Sequence, residues 1–314
     1  MNGGAGLKRI GDTGRSLGKS TFLRESTLPR DIENLVAAFR ESPSLLDPLR
    51  LRERCEWLDR LDAALGTFNP VEEGVSAADA EVRRSAQAMC AQLEAVNERL
   101  FAALRTEIRQ GCRPALFAQW MEDDSDIVGG LSFDYRDELL AGVLQLEEPS
   151  PLPAHPGPEF VFYQPTPARH LFHLLRLAQL TAADTLIDLG LGLGHVPLLA
   201  AICTDARSIG IEREEVYVAS ARRCGQQLNL ERARFLVQDV READLSVGTI
   251  FYLYTPFTGS VLATVVGRLR RESQSRAIRV CTFGPCTETL AQQQWLESEG
   301  PTDPEHITVF HSRF

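Results

Sequence analysis

The chain has 314 residues, 44% of them hydrophobic and 24% charged, with a net charge of −10. That is enough apolar material for one large or two ordinary domains with real cores, and no apolar run approaches the roughly 20 residues of a bilayer span, so no membrane partner is expected. The N-terminus lacks the apolar stretch of a secretory signal, which makes the cytoplasm the expected location, and seven cysteines without a CxxC pair read as reduced thiols rather than a disulfide frame or metal site.

Charge is unevenly distributed along the chain. Residues 1–30 carry a balance of +4, residues 31–162 one of −13, and residues 163–314 one of −1. Phosphate contacts need clustered Lys and Arg, so the −13 segment is a poor nucleic-acid surface and no nucleic-acid partner is expected. It suits a cationic partner or simply a solvated helical face.

Residues 1–30 are rich in Gly, Ser, Thr and Arg without apolar periodicity and are predicted to be a flexible basic segment. Within them Gly14 to Thr21 imitates a phosphate-binding loop, but its glycines are one residue too close and no strand precedes them. Residues 31–148 are predicted to form a helical domain. Leu51, Leu58, Leu61 and Leu65 share one face, a turn follows at Gly66 to Pro70, and a long helix is expected from a Ser76 cap. There Val82, Ala86, Met89, Leu93, Val96, Leu100, Leu104 and Ile108 recur at spacings of three and four, the stripe of one helix packed on another. Further helices are predicted at Pro114–Glu122 and Asp134–Glu147. Residues 149–162, rich in proline, are predicted to be a stiff linker.

From residue 163 to residue 314 strand and helix patterns alternate. A helix is expected over Ala168–Leu180, followed by a strand ending in Asp188 and a loop with glycines at 190, 192 and 194 that opens into a helix near Val196. Strands follow at Ser208–Glu212, Arg234–Asp239, Thr249–Tyr254 and Ala277–Phe283, with helices at Glu214–Leu228 and Ser260–Glu272. The C-terminus reads as a helix over Thr287–Glu297 and one strand, Ile307–His311. This alternation predicts an α/β fold: a Rossmann-like, doubly wound and mostly parallel sheet with one antiparallel C-terminal strand, joined to an all-helical N-terminal domain. A nicotinamide dinucleotide enzyme usually places its third glycine one residue later, with a pyrophosphate at the helix N-terminus. Here an acid precedes the first glycine, which suits a cationic ligand.

The Asp-Leu-Gly-x-Gly-x-Gly loop at 188–194, the acids at 212 and 239 and the Thr-Pro-Phe at 255–257 resemble class I S-adenosylmethionine-dependent methyltransferases in order and spacing. The lead-in Tyr163-Gln164-Pro165-Thr166-Pro167 resembles that of seven-strand protein-lysine methyltransferases, including the non-SET histone type. The resemblance implies S-adenosyl-L-methionine as cofactor. Tyr163, Thr166, Asp188, Gly190, Gly192, Gly194, Glu212, Asp239, Val240 and Thr255 would hold it, with Glu212 on the ribose and Asp239 near the adenine amine. Tyr254, Pro256 and Phe257 would border the acceptor, and Tyr254 and Tyr163 are the candidate catalytic side chains. Where amino-group methyltransferases carry Asp or Asn with Pro-Pro-Tyr or Pro-Pro-Phe, this chain reads Tyr254-Thr255-Pro256-Phe257.

The leading expectation is methyl transfer to an amino group of a protein. One alternative is a small-molecule N- or O-methyltransferase with the helical domain as lid, and the other a cofactor-binding interaction module without catalysis. His170 and His173 share a helix face, but no third metal ligand accompanies them, and no metal site is assigned.

Overall fold

The computed structural model describes residues 28–66, 77–122, 131–149, 157–298 and 300–313. The N-terminal basic segment up to residue 27, the turn after Gly66, the Ser76 cap and the central linker residues 150–156 lie outside the described residues.

Five helices come first: α1 (Leu28–Arg40), α2 (Leu51–Gly66), α3 (Ala77–Arg109), α4 (Ala115–Glu122) and α5 (Tyr135–Leu144). After α6 (Ala168–Ala178) the chain alternates as β1 (Thr185–Leu189), α7 (His195–Cys203), β2 (Arg207–Glu212), α8 (Glu215–Gln227), β3 (Ala233–Val237), β4 (Ile250–Tyr254), α9 (Gly259–Ser273), β5 (Arg279–Phe283), α10 (Cys286–Ala291), β6 (Leu296–Ser298) and β7 (Thr308–Ser312). The seven strands form one sheet in the order β3-β2-β1-β4-β5-β7-β6. Neighbours among β1 to β5 are parallel, whereas β7 is antiparallel to both β5 and β6. One strand, β7, therefore runs against the other six, as the sequence predicts.

Two C-terminal details differ from expectation. The helix expected over Thr287–Glu297 stops at Ala291, and three of the following residues form β6, a strand too short to show a period of two. The third strand ends at Val237, which leaves Gln238 and Asp239 in the loop beyond it.

Central strands covered on both faces read as apolar runs, and β1 is buried at all five positions. Alternation then divides its side chains between two cores. Leu186 packs with α6, α7 and α8, while Ile187 and Leu189 pack with α9 on the opposite face. Asp188 has the parity of Leu186, so its carboxylate faces the α6–α7 side at the carboxyl end of the strand. Tyr252, its register partner on β4, belongs to the same side.

The inner helices share that core. Phe117, Trp120, Leu139, Val143, Leu171, Phe172, Leu186 and Tyr252 belong to one continuous cluster, and a smaller one joins α1, α2 and the first half of α3. Polar ties reinforce the junction. Arg109 donates from Nε to the Gln227 carbonyl at 2.8 Å, and Arg105 donates to Val143 O and Gln227 Oε1. Asp137 caps two helices at once. Its Oδ2 accepts from Asp134 N at 2.7 Å, closing the capping box of α5, and its Oδ1 accepts from Ala168 N at 2.7 Å at the start of α6, whose own N-cap, Pro167, has no side chain to do so.

Candidate functional site

The sheet order reverses between β1 and β4, and beyond their carboxyl ends lies a cavity of about 870 Å³. A crevice at this position is where open α/β sheets bind ligands, and its size is near the top of the range for small-molecule sites. The loop after β1 forms its floor. Gly190, Gly192 and Gly194 all have positive φ, of 115°, 53° and 96°. A Cβ on Gly190 would overlap the Pro256 ring, and one on Gly192 would overlap the Tyr163 ring. Glycine is required at these two points for backbone conformation and for close approach together.

Two of the carboxylates that line the cavity, Asp188 and Glu212, stand at the carboxyl ends of β1 and β2. Asp188 is 3% exposed, and among the described residues its carboxylate has no hydrogen-bond partner. Burial, with Glu212 nearby, pushes its pKa up to about 8. Glu212 is anchored instead. Its Oε1 accepts from Arg213 N (2.8 Å) and Glu214 N (3.1 Å), and its Oε2 from Gly192 N (3.0 Å). Burial nonetheless raises its pKa. With about four acceptor positions on a carboxylate, three are already taken and one is vacant.

The lead-in segment closes the cavity from above. Thr166 Oγ1 and Tyr252 Oη are 2.9 Å apart, and Tyr163 stacks against Tyr217 at 5.2 Å with its hydroxyl 3.3 Å from His195 Nδ1. Burial lowers the His195 pKa to about 4 and raises that of Tyr163, so at neutral pH both the imidazole and the phenol are uncharged. Val161 N donates to Pro256 O at 3.1 Å, Thr258 N to Glu159 O at 2.8 Å, and Phe160 bridges Phe257. These bonds lace the lead-in to the loop after β4. Thr255 turns that loop at φ 37°, a strained value for a β-branched residue, and its hydroxyl donates to Phe283 O and accepts from Cys286 N.

Tyr163, Thr166, Asp188, Gly190, Gly192, Glu212, Val240, Tyr254, Thr255, Pro256 and Phe257 all line the cavity. Two predicted residues do not. Gly194 is the N-cap of α7, one turn below the floor. Asp239 is engaged by Arg241 through two bonds, of 3.0 and 2.6 Å, so Gln238 and Val240 form the wall there. Sequence reasoning missed Tyr217, Tyr252 and Gln238. His170 stacks on Phe283 at 4.4 Å as a packing residue, and no three-residue metal-ligating group occurs among the described residues. Nor is any described helix long and apolar enough to cross a membrane.

The two aromatic residues of the β4 loop are distinct in kind. Phe257 is 2% exposed and packs into the core under α9, so Phe257→Ala should cost about 3–5 kcal/mol of stability, read as a lower denaturation midpoint. Tyr254 is half-buried against Phe283 at 4.8 Å, and Tyr254→Phe should leave that midpoint unchanged.

No protein-family model matches this chain, and no curated protein matches it. Solved structures do. An RNA methyltransferase from Salinibacter ruber in complex with S-adenosyl-L-homocysteine aligns at 26% identity over 48% of this chain and 92% of its own, with a TM-score of 0.38. Precorrin-6y C5,15-methyltransferase from Geobacter metallireducens aligns at 14% identity over 49% and 93%, with a TM-score of 0.37. The tRNA (uracil-54, C5)-methyltransferase of Pyrococcus abyssi aligns at 18% identity over 48% and 39%, with a TM-score of 0.35.

Proposed function

We propose that this chain is an S-adenosyl-L-methionine-dependent methyltransferase acting on an amino group of a polypeptide. The observation that carries the cofactor reading is the pair of carboxylates over a glycine floor. Asp188 is a buried carboxyl group that burial keeps protonated up to about pH 8, and a ligand cation would complete its charged form. Glu212, fixed by three backbone N–H groups, offers its remaining position to a ribose hydroxyl. Gly190 and Gly192 leave bare backbone where the ligand must approach, and Val240 and Gln238 would flank the base.

S-adenosyl-L-methionine, when bound, supplies an electrophilic methyl group on a sulfonium. The residues around it need only hold a nucleophile in line and exclude water. Burial raises the pKa values of both Tyr163 and Tyr254 above the ordinary phenol value of 10, so neither takes a proton at neutral pH. They act by shape and hydrogen bonding, and the acceptor amine must arrive neutral. Among the described charged side chains that line the cavity, Asp188, Glu212, Glu214, Glu148 and Glu305 oppose Arg213. Such a wall favours an amine over a phosphate-bearing acceptor. The helical domain shares its core with α6 and α7, which argues against its use as a swinging lid over a small metabolite.

Calorimetry with S-adenosylhomocysteine and with NAD tests the cofactor, and tritium-methyl transfer onto fractionated lysate tests the acceptor. The expected result is binding of the sulfur ligand alone, with label in protein. Tight NAD binding without a response to the sulfur ligand overturns the reading, label confined to RNA or small molecules overturns its acceptor, and binding without label overturns its activity.

A further inference from the structure

Leu131 lies on the rim of the cavity, and the next four residues, Ser132 to Tyr135, line a second cleft of about 900 Å³ on the helical domain. The walls of the two spaces therefore adjoin along this segment.

The walls of the second cleft carry more acidic than basic side chains. Asp59 and Asp62 on α2, Glu94 and Glu98 on α3 and Glu138 on α5 all line it, all are exposed, and none is in an ion pair among the described residues. Two arginines also line the cleft, Arg52 paired with Glu56 at 3.1 Å and Arg169 donating to Ser132 Oγ at 2.8 Å, which leaves the five carboxylates in excess. Like charges three and four residues apart on a helix oppose folding by a few tenths of a kcal/mol per pair. The field is felt within the cleft: burial, then Glu138 and Asp59, push the Cys55 thiol up to about 11.

A second observation is independent of charge. Asn97, between Glu94 and Glu98, is 4% exposed, and its Oδ1 accepts from Arg54 Nε at 2.6 Å. A guanidinium has no acceptor, so the oxygen must face Arg54 and the amide nitrogen opens on the cleft. No hydrogen bond among the described residues takes up that nitrogen. A ligand completing this cleft must bring several cations and also a neutral acceptor for the amide N–H that opens on it. A polyamine or a metal ion brings only the first, and a nucleic acid meets five carboxylates with its own negative charge. A peptide backbone carrying Lys or Arg side chains brings both.

We infer that this cleft is the docking site for the methyl-acceptor polypeptide, whose basic residues lie across α2, α3 and α5 while the residue to be methylated reaches past Leu131 into the cavity. The inference rests on the methyl-transfer reading for its outcome but not for its test. Fluorescence anisotropy on the full chain, with a labelled peptide of alternating glycine and arginine, reads docking directly. Asp59→Asn, Glu94→Gln and Glu98→Gln together should weaken the peptide by about tenfold or more and blunt its salt dependence, while S-adenosylhomocysteine affinity stays unchanged. With a basic protein acceptor the same variant should raise KM and spare kcat. Equal peptide affinity in variant and wild type overturns the inference, as does a labelled single-stranded RNA or spermine binding the wild type more tightly than the peptide. If S-adenosylhomocysteine fails to bind the wild type, the methyl-transfer reading falls, while the anisotropy series still decides the cleft.

Discussion

Replacing Glu212 with alanine should raise the dissociation constant for S-adenosylhomocysteine by about 30- to 160-fold, a loss of about 2–3 kcal/mol. Two effects add. The variant loses a charge-assisted bond to the ligand, and it frees the N–H groups of Gly192, Arg213 and Glu214 that the carboxylate now holds in place. Glu212→Gln keeps an acceptor oxygen for part of that set and should lose less. Isothermal calorimetry on the folded variants checks both, and a Glu212→Ala protein that binds as tightly as wild type removes this residue from the ligand site.

The second large effect concerns Asp188 and pH. Its pKa is about 8 in the folded chain against an ordinary 3.8, so between those values the native protein holds a proton that the unfolded chain has released. The stability it contributes is therefore fully present below pH 3.8 and is lost as pH rises through 8. Ligand binding has the opposite sign. A cation pairing with the carboxylate must displace that proton, so affinity for S-adenosylmethionine should climb with pH and level off near 8. Two pH units below the plateau, binding should be weaker by up to about a hundredfold. Calorimetry in buffers of different ionisation enthalpy should show a proton released on binding at pH 7, and Asp188→Asn should abolish both the release and the slope. A flat profile in the wild type would show that Asp188 does not meet the cation.

The parts of this site legible in the sequence are those in which backbone carries the information. Parallel strands buried on two faces are mostly apolar, so β1 and β4 stand out from their compositions, and the glycines at 190 and 192 mark points where a side chain cannot fit. What was illegible depends on which neighbour a side chain meets. Asp239 sits at the expected position beyond the third strand, yet Arg241, two residues later, captures it, and nothing in the spacing distinguishes a carboxylate held by an arginine from one turned to a ligand. Tyr252 was read only as strand, since its role comes from Thr166, far off in the chain. β6 escaped because three residues cannot display a periodicity, and the acidic cleft because its walls come from three helices brought together by packing.

Asp137 has a consequence for how the molecule melts. A single carboxylate terminates a helix of the N-terminal layer and starts the helix that leads into the sheet, above a core that runs unbroken from Phe117 through Phe172 to Leu186. The inner helices α4 and α5 and the glycine-floored cavity should therefore melt together, as one transition in calorimetry. Cutting the chain at the proline-rich tract would strand Leu171, Phe172 and Leu175 in water and leave the first turn of α6 without its acceptor, so loss of the helices would be felt at the floor of the cavity as surely as a substitution there.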